Sequence, residues 1–322
     1  MIRLTAFLAL LASPALAQGV VLDPPPAAVI AADAGTLYDT TSLVVLIDDV
    51  ASADRLTNAA SFDLLSRETL AGLGQQMLVF RLPPDISGAD AIRQIETLEP
   101  GATAGVNHAY RAPVAALLPR GRDYANALIG WPSKGCAAQM PVGILDTDID
   151  PLAPGLTSVA IKRRAFVVTS ADTAHGTAIA QLIAGPGRLT RVQLYHAAVV
   201  GRTEGGDPAA GVDTLVRALD WMQQSGVGIV NVSLAGPYNK ILDRAVQAAD
   251  RRGMIVVAAA GNPGRDGPPR YPAAFRQTIG VTALDAALAL YSEAPEGAHI
   301  DIAAPGVDIF VPRDGGTYLS GT

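Results

Sequence analysis

The stretch VGILDTDID, residues 142–150, opens with four apolar residues and becomes acidic at Asp146. A short apolar run of this kind predicts a strand that is buried on both faces. Similar runs recur at 192–200, 228–234, 254–260 and 278–283. Helical patterns lie between them, the clearest over 212–224 and 241–252, each followed by a glycine. The second half of the chain is therefore predicted to be an α/β domain with a doubly wound parallel sheet, over 141–322.

A smaller domain is predicted upstream, over 42–111. Strand-like runs at 43–47, 76–82 and 105–110 alternate with helical patterns at 55–71 and 87–98. Ser87 is a candidate N-cap for the second of these helices. The pattern predicts a small α+β domain. Prolines and glycines then mark 112–140 as a linker that leads into the larger domain.

The N-terminus has the features of an export signal. Arg3 precedes an apolar stretch, and Ala15-Leu16-Ala17 forms a small-x-small cleavage site. The apolar stretch is shorter than the roughly 20 residues that span a bilayer. We predict a signal peptide over 1–17, a flexible leader over 18–41, export to the periplasm or the extracellular space, and no stable membrane insertion after cleavage.

Composition excludes several classes of function. The net charge is −6 and no run of Lys and Arg is interleaved with aromatic residues, so nucleic acid is not an expected partner. Cys136 is the only cysteine, which excludes an intramolecular disulfide. We interpret it as a packed or loop thiol, since no histidine on a defined element accompanies it.

Three polar residues stand where catalytic groups collect in an open α/β sheet, at strand ends and helix starts. Asp146 ends the 142–145 run, His175 begins HGTAIAQLIAG, and Asn262 ends MIVVAAAGN. A buried carboxylate can orient an imidazole, and a preorganised amide can donate to a developing oxyanion. Each residue also has an ordinary interpretation: Asp146 as a turn or cap residue, His175 as a histidine without a role, Asn262 as a turn residue. His108, His196 and His299 have no comparable context and receive no role.

Taken in order, these segments resemble the subtilisin-like serine protease family (subtilases, peptidase S8). The resemblance rests on VGILDTDID, HGTAIAQLIAG, IVNVSLAGP from Ile229, MIVVAAAGN and the closing YLSGT. It implies a protease that acts on polypeptides, with Asp146 orienting His175, His175 as general base and then general acid, and Asn262 in the oxyanion hole. The resemblance also implies two substrate-binding regions. The substrate backbone would pair with a strand formed by Ser233, Leu234, Ala235 and Gly236, and the substrate side chain before the scissile bond would enter a pocket lined by Ala259 and Gly261.

The resemblance also has implications for the rest of the molecule. The 42–111 domain resembles the family's inhibitory propeptide, with processing between Tyr110 and Cys136. No cofactor is required. The resemblance allows for a structural calcium ion, but no motif in the sequence identifies a metal site.

Two departures from the family pattern bear on function. Asp148 stands where glycine is usual, and we interpret Asp148 and Asp150 as solvated loop acids in preference to cation ligands. The family's nucleophilic serine would follow Thr322, so the chain as given is expected to be inactive, and Ser320 is a poor substitute because it precedes the turn. The competing hypotheses are a non-catalytic peptide-binding or inhibitory module and a dinucleotide-binding enzyme. The second fails because Gly226 and Gly228 precede their strand.

Overall fold

The computed structural model describes residues 30–33, 36–111, 124–202, 207–312 and 316–322. The predicted signal peptide, 1–17, and residues 112–123 of the predicted linker lie outside this part of the chain. Two units pack together, an N-terminal unit (residues 30–111) and a C-terminal unit (residues 124–322). Within the described residues, no helix has both the length and the apolar character needed to cross a membrane.

The N-terminal unit is an antiparallel sheet with two helices. Its elements are β1 (Ile30–Asp33), β2 (Thr36–Ile47), α1 (Val50–Ala59), β3 (Leu64–Leu70), β4 (Gln75–Arg81), α2 (Gly88–Leu98) and β5 (Thr103–Tyr110). The strand order is β5-β2-β4-β3, with β1 on β2. Asp49 and Ser87 cap α1 and α2, accepting hydrogen bonds from Ser52 N and Asp90 N.

The sheet of this unit is buried on both faces, which explains why residues 43–47 are all apolar and do not alternate. Leu43 and Val45 face the cluster under α1 and α2, which includes Leu56. Val44 and Leu46 point the other way, into a core shared with the C-terminal unit.

Two sequence predictions for this unit are wrong. The helix predicted over 55–71 is α1, which ends at Ala59, followed by the strand β3. Pairing of β3 with β4 through the hairpin at Gly74, where φ is +69°, overrides the helical propensity of this segment. Regular structure also begins earlier than predicted, because β1 and the first residues of β2 lie within the 18–41 segment assigned to a flexible leader.

The C-terminal unit contains a seven-stranded parallel sheet with order β16-β15-β14-β13-β7-β10-β8. Its elements are α3 (Ala125–Leu128), β6 (Cys136–Ala137), β7 (Val142–Asp146), β8 (Ala160–Ala165), α4 (Ala174–Ala184), β9 (Leu189–Thr190), β10 (Gln193–Ala198), β11 (Gly201–Arg202), β12 (Pro208–Gly211), α5 (Val212–Gln224), β13 (Ile229–Val232), α6 (Lys240–Asp250), β14 (Ile255–Ala259), β15 (Thr278–Leu284), β16 (Ile302–Pro305), β17 (Ile309–Val311) and β18 (Thr317–Leu319). The α/β class and the parallel sheet predicted from sequence are confirmed.

Helices cover both faces of this sheet. On one face α4 packs over β7 and β10, where Ile144 and Leu194 join Ala180 in one apolar cluster. On the other face α5 and α6 lie between the parallel sheet and the sheet of the N-terminal unit. After β7, the chain adds β8 and β10 on one side of this strand, and it then adds β13, β14, β15 and β16 on the other side. The carboxyl end of β7 is therefore the switch point at which open α/β sheets bind ligands.

Candidate active site

Asp146 is the last residue of β7 and is fully buried. Its Oδ1 accepts hydrogen bonds from the backbone N–H of Thr147 and from His175 Nδ1, both at 2.7 Å. A carboxylate can only accept, so Nδ1 of His175 carries the hydrogen and Nε2 is free to accept a proton. Residues 29 apart in sequence are thus brought into direct contact.

His175 lies in the first turn of α4, with 22% of its side chain exposed. Burial lowers the pKa of the imidazole, but the charge and hydrogen bond of Asp146 outweigh this and raise the pKa above its ordinary value. A carboxylate that stabilises the cationic ring is suited to a base that must hold a proton between two steps. The predicted pairing of a strand-end carboxylate with a helix-start imidazole is present in the fold.

Gly176 permits this approach of α4 to the end of β7. A Cβ atom on Gly176 would lie 2.4 Å from Thr147 O, a contact that backbone atoms do not allow. The N–H of Gly176 also donates to Thr147 Oγ1 at 2.9 Å. The glycine is thus required by its contact with the Thr147 carbonyl.

Asn262 lies three residues beyond β14, a strand that is two positions, or about 10 Å, from β7 in the parallel sheet. Its Oδ1 accepts from Thr322 N at 3.2 Å and from Thr322 Oγ1 at 3.1 Å. Its Nδ2 is buried and has no hydrogen-bond partner among the described residues. A buried amide donor without a partner carries a desolvation cost.

The predicted substrate-binding residues form one continuous edge. Ser233 to Gly236 directly follow β13, and a Cβ atom on Gly261 (φ +82°) would lie 2.9 Å from Ala235 Cβ. Ser233 accepts from Asn231, and Leu234 is buried in the core. Ala259 ends β14 beside them.

Part of this edge is occupied by the N-terminal unit. Arg111 N donates to Ala235 O at 3.2 Å, and Ala235 N donates to Arg111 O at 2.9 Å, an antiparallel pair. On the other side, β12 pairs with β5 through Ala210 and Tyr110. The extended segment that ends β5 therefore lies between two edges of the C-terminal unit.

Tyr110 is the anchor of that segment. The ring is fully buried, its hydroxyl donates to Pro237 O at 2.9 Å, and a Cβ atom on Gly236 would lie 2.5 Å from Tyr110 Cδ1. Burial raises the pKa of the Tyr110 hydroxyl, which keeps it a donor. The sequence signal was an aromatic residue at the end of a strand-like run, which by itself does not identify its pocket.

Asp148 differs from the solvated loop acid expected, whereas Asp150 is exposed as expected. Asp148 accepts two hydrogen bonds from Arg163 Nη2, at 2.7 and 2.8 Å. Burial raises the pKa of Asp148, but the Arg163 contacts together with the backbone N–H of Ile149 and the nearby His196 lower it overall, so the carboxylate is ionised and paired. Asp150 accepts from Leu152 N in a turn. In the described part of the chain, no three His, Cys, Asp or Glu side chains are grouped as metal ligands.

The family match to known proteins lies within the C-terminal unit. Residues 138–322 match the family model described as "Subtilase family". Subtilisin DY from Bacillus licheniformis is 32% identical over 199 residues, which cover 57% of this chain and 70% of that protein. Subtilisin Savinase from Lederbergia lenta is 34% identical over 160 residues, covering 47% of this chain and 58% of the relative.

Solved structures show the same fold. Fervidolysin from Fervidobacterium pennivorans, a keratinolytic enzyme related to subtilisin, matches with a TM-score of 0.69 and 17% identity over 92% of this chain and 54% of its own. The S393A mutant of the epidermin leader peptide processing serine protease from Staphylococcus aureus matches with a TM-score of 0.62 and 14% identity, over 88% and 85% of the two chains. On these matches, the chain belongs to the subtilase family of serine peptidases, peptidase S8.

Proposed function

We propose that this protein is an exported serine endopeptidase in which Asp146 and His175 activate a serine that follows Thr322. The observation that carries the proposal is the 2.7 Å bond from His175 Nδ1 to Asp146 Oδ1, which leaves Nε2 available as a base. His175 would take the serine proton as Oγ attacks the peptide carbonyl, and would return it to the leaving amine. Water then hydrolyses the acyl-enzyme by the same proton transfers.

The serine cannot be replaced by Ser320 in this proposal. Ser320 is buried, its Oγ accepts from Asp308 N at 2.9 Å, and it faces the carboxylate of the same residue. The chain from Met1 to Thr322 is accordingly proposed to be inactive in hydrolysis. We call the protein encoded by the reading frame continued past Thr322, through the proposed serine, the serine-bearing form.

The test of this function is labelling by a fluorophosphonate probe. The serine-bearing form should be labelled on the residue after Thr322 and should cleave a casein substrate, whereas the chain ending at Thr322 should show neither reaction. If the continued frame encodes no serine at that position, or if the probe labels both forms equally, the proposal fails. Peptide binding without turnover would favour the alternative of a non-catalytic peptide-binding module.

Asn262 is proposed to donate Nδ2–H to the oxyanion of the tetrahedral intermediate. Replacing Asn262 with Leu in the serine-bearing form should lower kcat by about 10²- to 10³-fold with little change in KM, a range measured in a subtilisin and carried over here. Steady-state kinetics on a chromogenic peptide measures both constants. Asn231→Leu, which changes an amide that contacts Ser233, is the control; an equal loss of kcat in both variants would contradict the role.

Ala235 and Gly236 are proposed to bind the substrate backbone, with Ala259 and Gly261 lining the adjacent pocket. The antiparallel pair between Ala235 and Arg111 supports this, because it shows that the edge accepts an extended chain through main-chain hydrogen bonds. Polypeptides in extended conformation are thus the proposed substrates.

The N-terminal unit is proposed to be an intramolecular inhibitor, removed by cleavage between Tyr110 and Cys136. Support comes from its contacts along the face formed by α5 and α6. Asp220 accepts from Leu73 N at 3.0 Å, Asn107 Nδ2 donates to Asp213 at 2.9 Å, and Arg244 pairs with Asp48 at 2.7 Å. Together with Arg111 at the Ala235 edge, these contacts would keep substrate out until cleavage.

Docking of this unit is expected to weaken in acid because of His108. Asn239 Oδ1 accepts from Ile241 N and Leu242 N, so its Nδ2 faces His108 Nδ1, which must be unprotonated to accept at 2.9 Å. Burial lowers the pKa of His108 below the ordinary value of 6.5. The undocked unit then binds protons more readily, and the docked state loses stability as pH falls through and below about 6.5.

Hydrogen exchange of β5 amides in the intact chain at pH 5 and pH 7.5 measures this effect. Protection should fall at pH 5 in the unsubstituted chain and should change less in His108→Gln, which cannot titrate. Equal pH dependence in the two proteins would contradict the assignment to His108.

Export is proposed from the predicted signal peptide and is supported by similarity to the relative named minor extracellular protease Epr, from Bacillus subtilis (strain 168). The protein would act in the periplasm or outside the cell, without a required cofactor and without nucleic acid as a partner.

A further inference from the structure

His196 is a buried titratable residue that the proposed mechanism does not use. It lies in β10, opposite Ile144 of β7, and has no exposed surface. The neighbouring side chains on this face of the sheet are apolar: Ile144 and Leu194 pack against Ala180 of α4. Burying a polar ring in such a place costs free energy unless its polar atoms are hydrogen-bonded.

The ring makes one hydrogen bond, to the carbonyl of Thr147, the residue that follows Asp146. Its Nε2 lies 2.8 Å from Thr147 O, and its Nδ1 has no partner among the described residues. A carbonyl only accepts, so Nε2 carries the hydrogen. The charged groups that face the ring are Asp146, Asp148 and Arg163, and burial keeps the pKa of His196 low despite the two carboxylates.

Thr147 connects Asp146 to the helix that carries His175 through two hydrogen bonds, and a third hydrogen bond joins it to His196. Its N–H donates to Asp146 Oδ1, and its Oγ1 accepts from Gly176 N in the first turn of α4, next to His175. Its carbonyl accepts from His196 and lies against the Gly176 backbone. A displacement of Thr147 would therefore move both the N–H that donates to Asp146 and the start of the helix that carries His175.

We propose that His196 is a positioning residue: its Nε2–H holds the Thr147 carbonyl and so keeps Asp146 Oδ1 directed at His175 Nδ1. It does not touch substrate in this role. The inference deepens the proposed function, because the pair that it positions is the one assigned to activate the serine. It can be tested on the 322-residue chain itself, since the Asp146–His175 bond exists without a nucleophile.

The test compares two substitutions of similar length, His196→Gln and His196→Met. Glutamine retains an N–H donor that can reach Thr147 O, whereas methionine fills an apolar space without donating. NMR of ¹⁵N-histidine-labelled chain reports the tautomer of His196, the pKa of His175, and the low-field proton of the short Nδ1–H bond. His299→Gln is the control for replacing a histidine elsewhere.

The unsubstituted chain should show His196 as the Nε2–H tautomer. In His196→Met the low-field proton should be lost, and the pKa of His175 should fall towards or below its ordinary value of 6.5; His196→Gln and His299→Gln should keep both signals. The inference is overturned if Met and Gln behave alike in folded proteins, or if His196 is the Nδ1–H tautomer. The tautomer of His196 is measured in the unsubstituted chain, so this outcome decides the question even if a variant does not fold.

Failure of this inference and failure of the proposed function give different results. If the serine-bearing form is not labelled by fluorophosphonate while the Met variant still loses the low-field proton, the positioning role stands and the peptidase proposal falls. If labelling succeeds and the Met variant is unchanged by NMR, only the positioning role falls.

Discussion

Replacing His175 with alanine should lower kcat of the serine-bearing form by about 10⁶-fold, a magnitude measured in a subtilisin and carried over here. The imidazole is the group that the structure places against Asp146, so its removal leaves the serine hydroxyl without a base. The fold should survive, because the ring is partly exposed and its helix is anchored through Gly176. The measurement is kcat on a chromogenic peptide, with circular dichroism to establish folding.

His299→Ala is the matched control for His175→Ala. It removes an imidazole from a loop beside Gly297, and we expect kcat within about threefold of the unsubstituted protein, as is usual for changes outside a catalytic unit. A folded His175→Ala variant that retains more than a hundredth of the activity would show that another base serves the serine.

Replacing Asp146 with asparagine should lower kcat by about 10⁴-fold. The amide has nearly the same shape, so the packing at the end of β7 is retained. The negative charge of Asp146 that raises the pKa of His175 is lost, and the burial that lowers this pKa is then opposed mainly by a smaller contribution, the charge of Asp172. The pKa of His175 should therefore fall below 6.5, and the ring is no longer held with its hydrogen on Nδ1.

Asp148→Asn is the control for that change. Asp148 is two residues away and is paired with Arg163 instead of with His175. Histidine NMR of both variants should show a lowered His175 pKa in Asp146→Asn and little change in Asp148→Asn. If the two substitutions shift the pKa of His175 equally, the effect comes from net local charge and the specific role of Asp146 is contradicted.

Local signals account for what the sequence predicted well. The α5 helix has the predicted bounds, because a stripe of apolar residues ends at Ser225-Gly226. Five strands of the parallel sheet, β7, β10, β13, β14 and β15, lie within one or two residues of the predicted apolar runs, because burial on both faces favours apolar residues. The edge strands β8 and β16 were not predicted, because none of their residues is fully buried. Asp146, His175 and Asn262 could be located because each ends or begins such an element.

Contacts between segments distant in sequence account for what was missed. The strand β3 has the composition of a helix, and only its pairing with β4 determines its conformation. Thr147 and His196 looked ordinary because their importance comes from one hydrogen bond between neighbouring strands. The burial of Tyr110 against Gly236 depends on two units that fold around each other.

The strand β12 extends the sheet of the N-terminal unit from the C-terminal unit, through the pairing of Ala210 with Tyr110. Contacts between residues so far apart in sequence form late and slow the folding reaction, since the intervening chain must first be ordered. They also tie the opening of one unit to the opening of the other. A polypeptide cut between the units after folding would therefore be expected to lose the ability to regain its structure once it has been denatured.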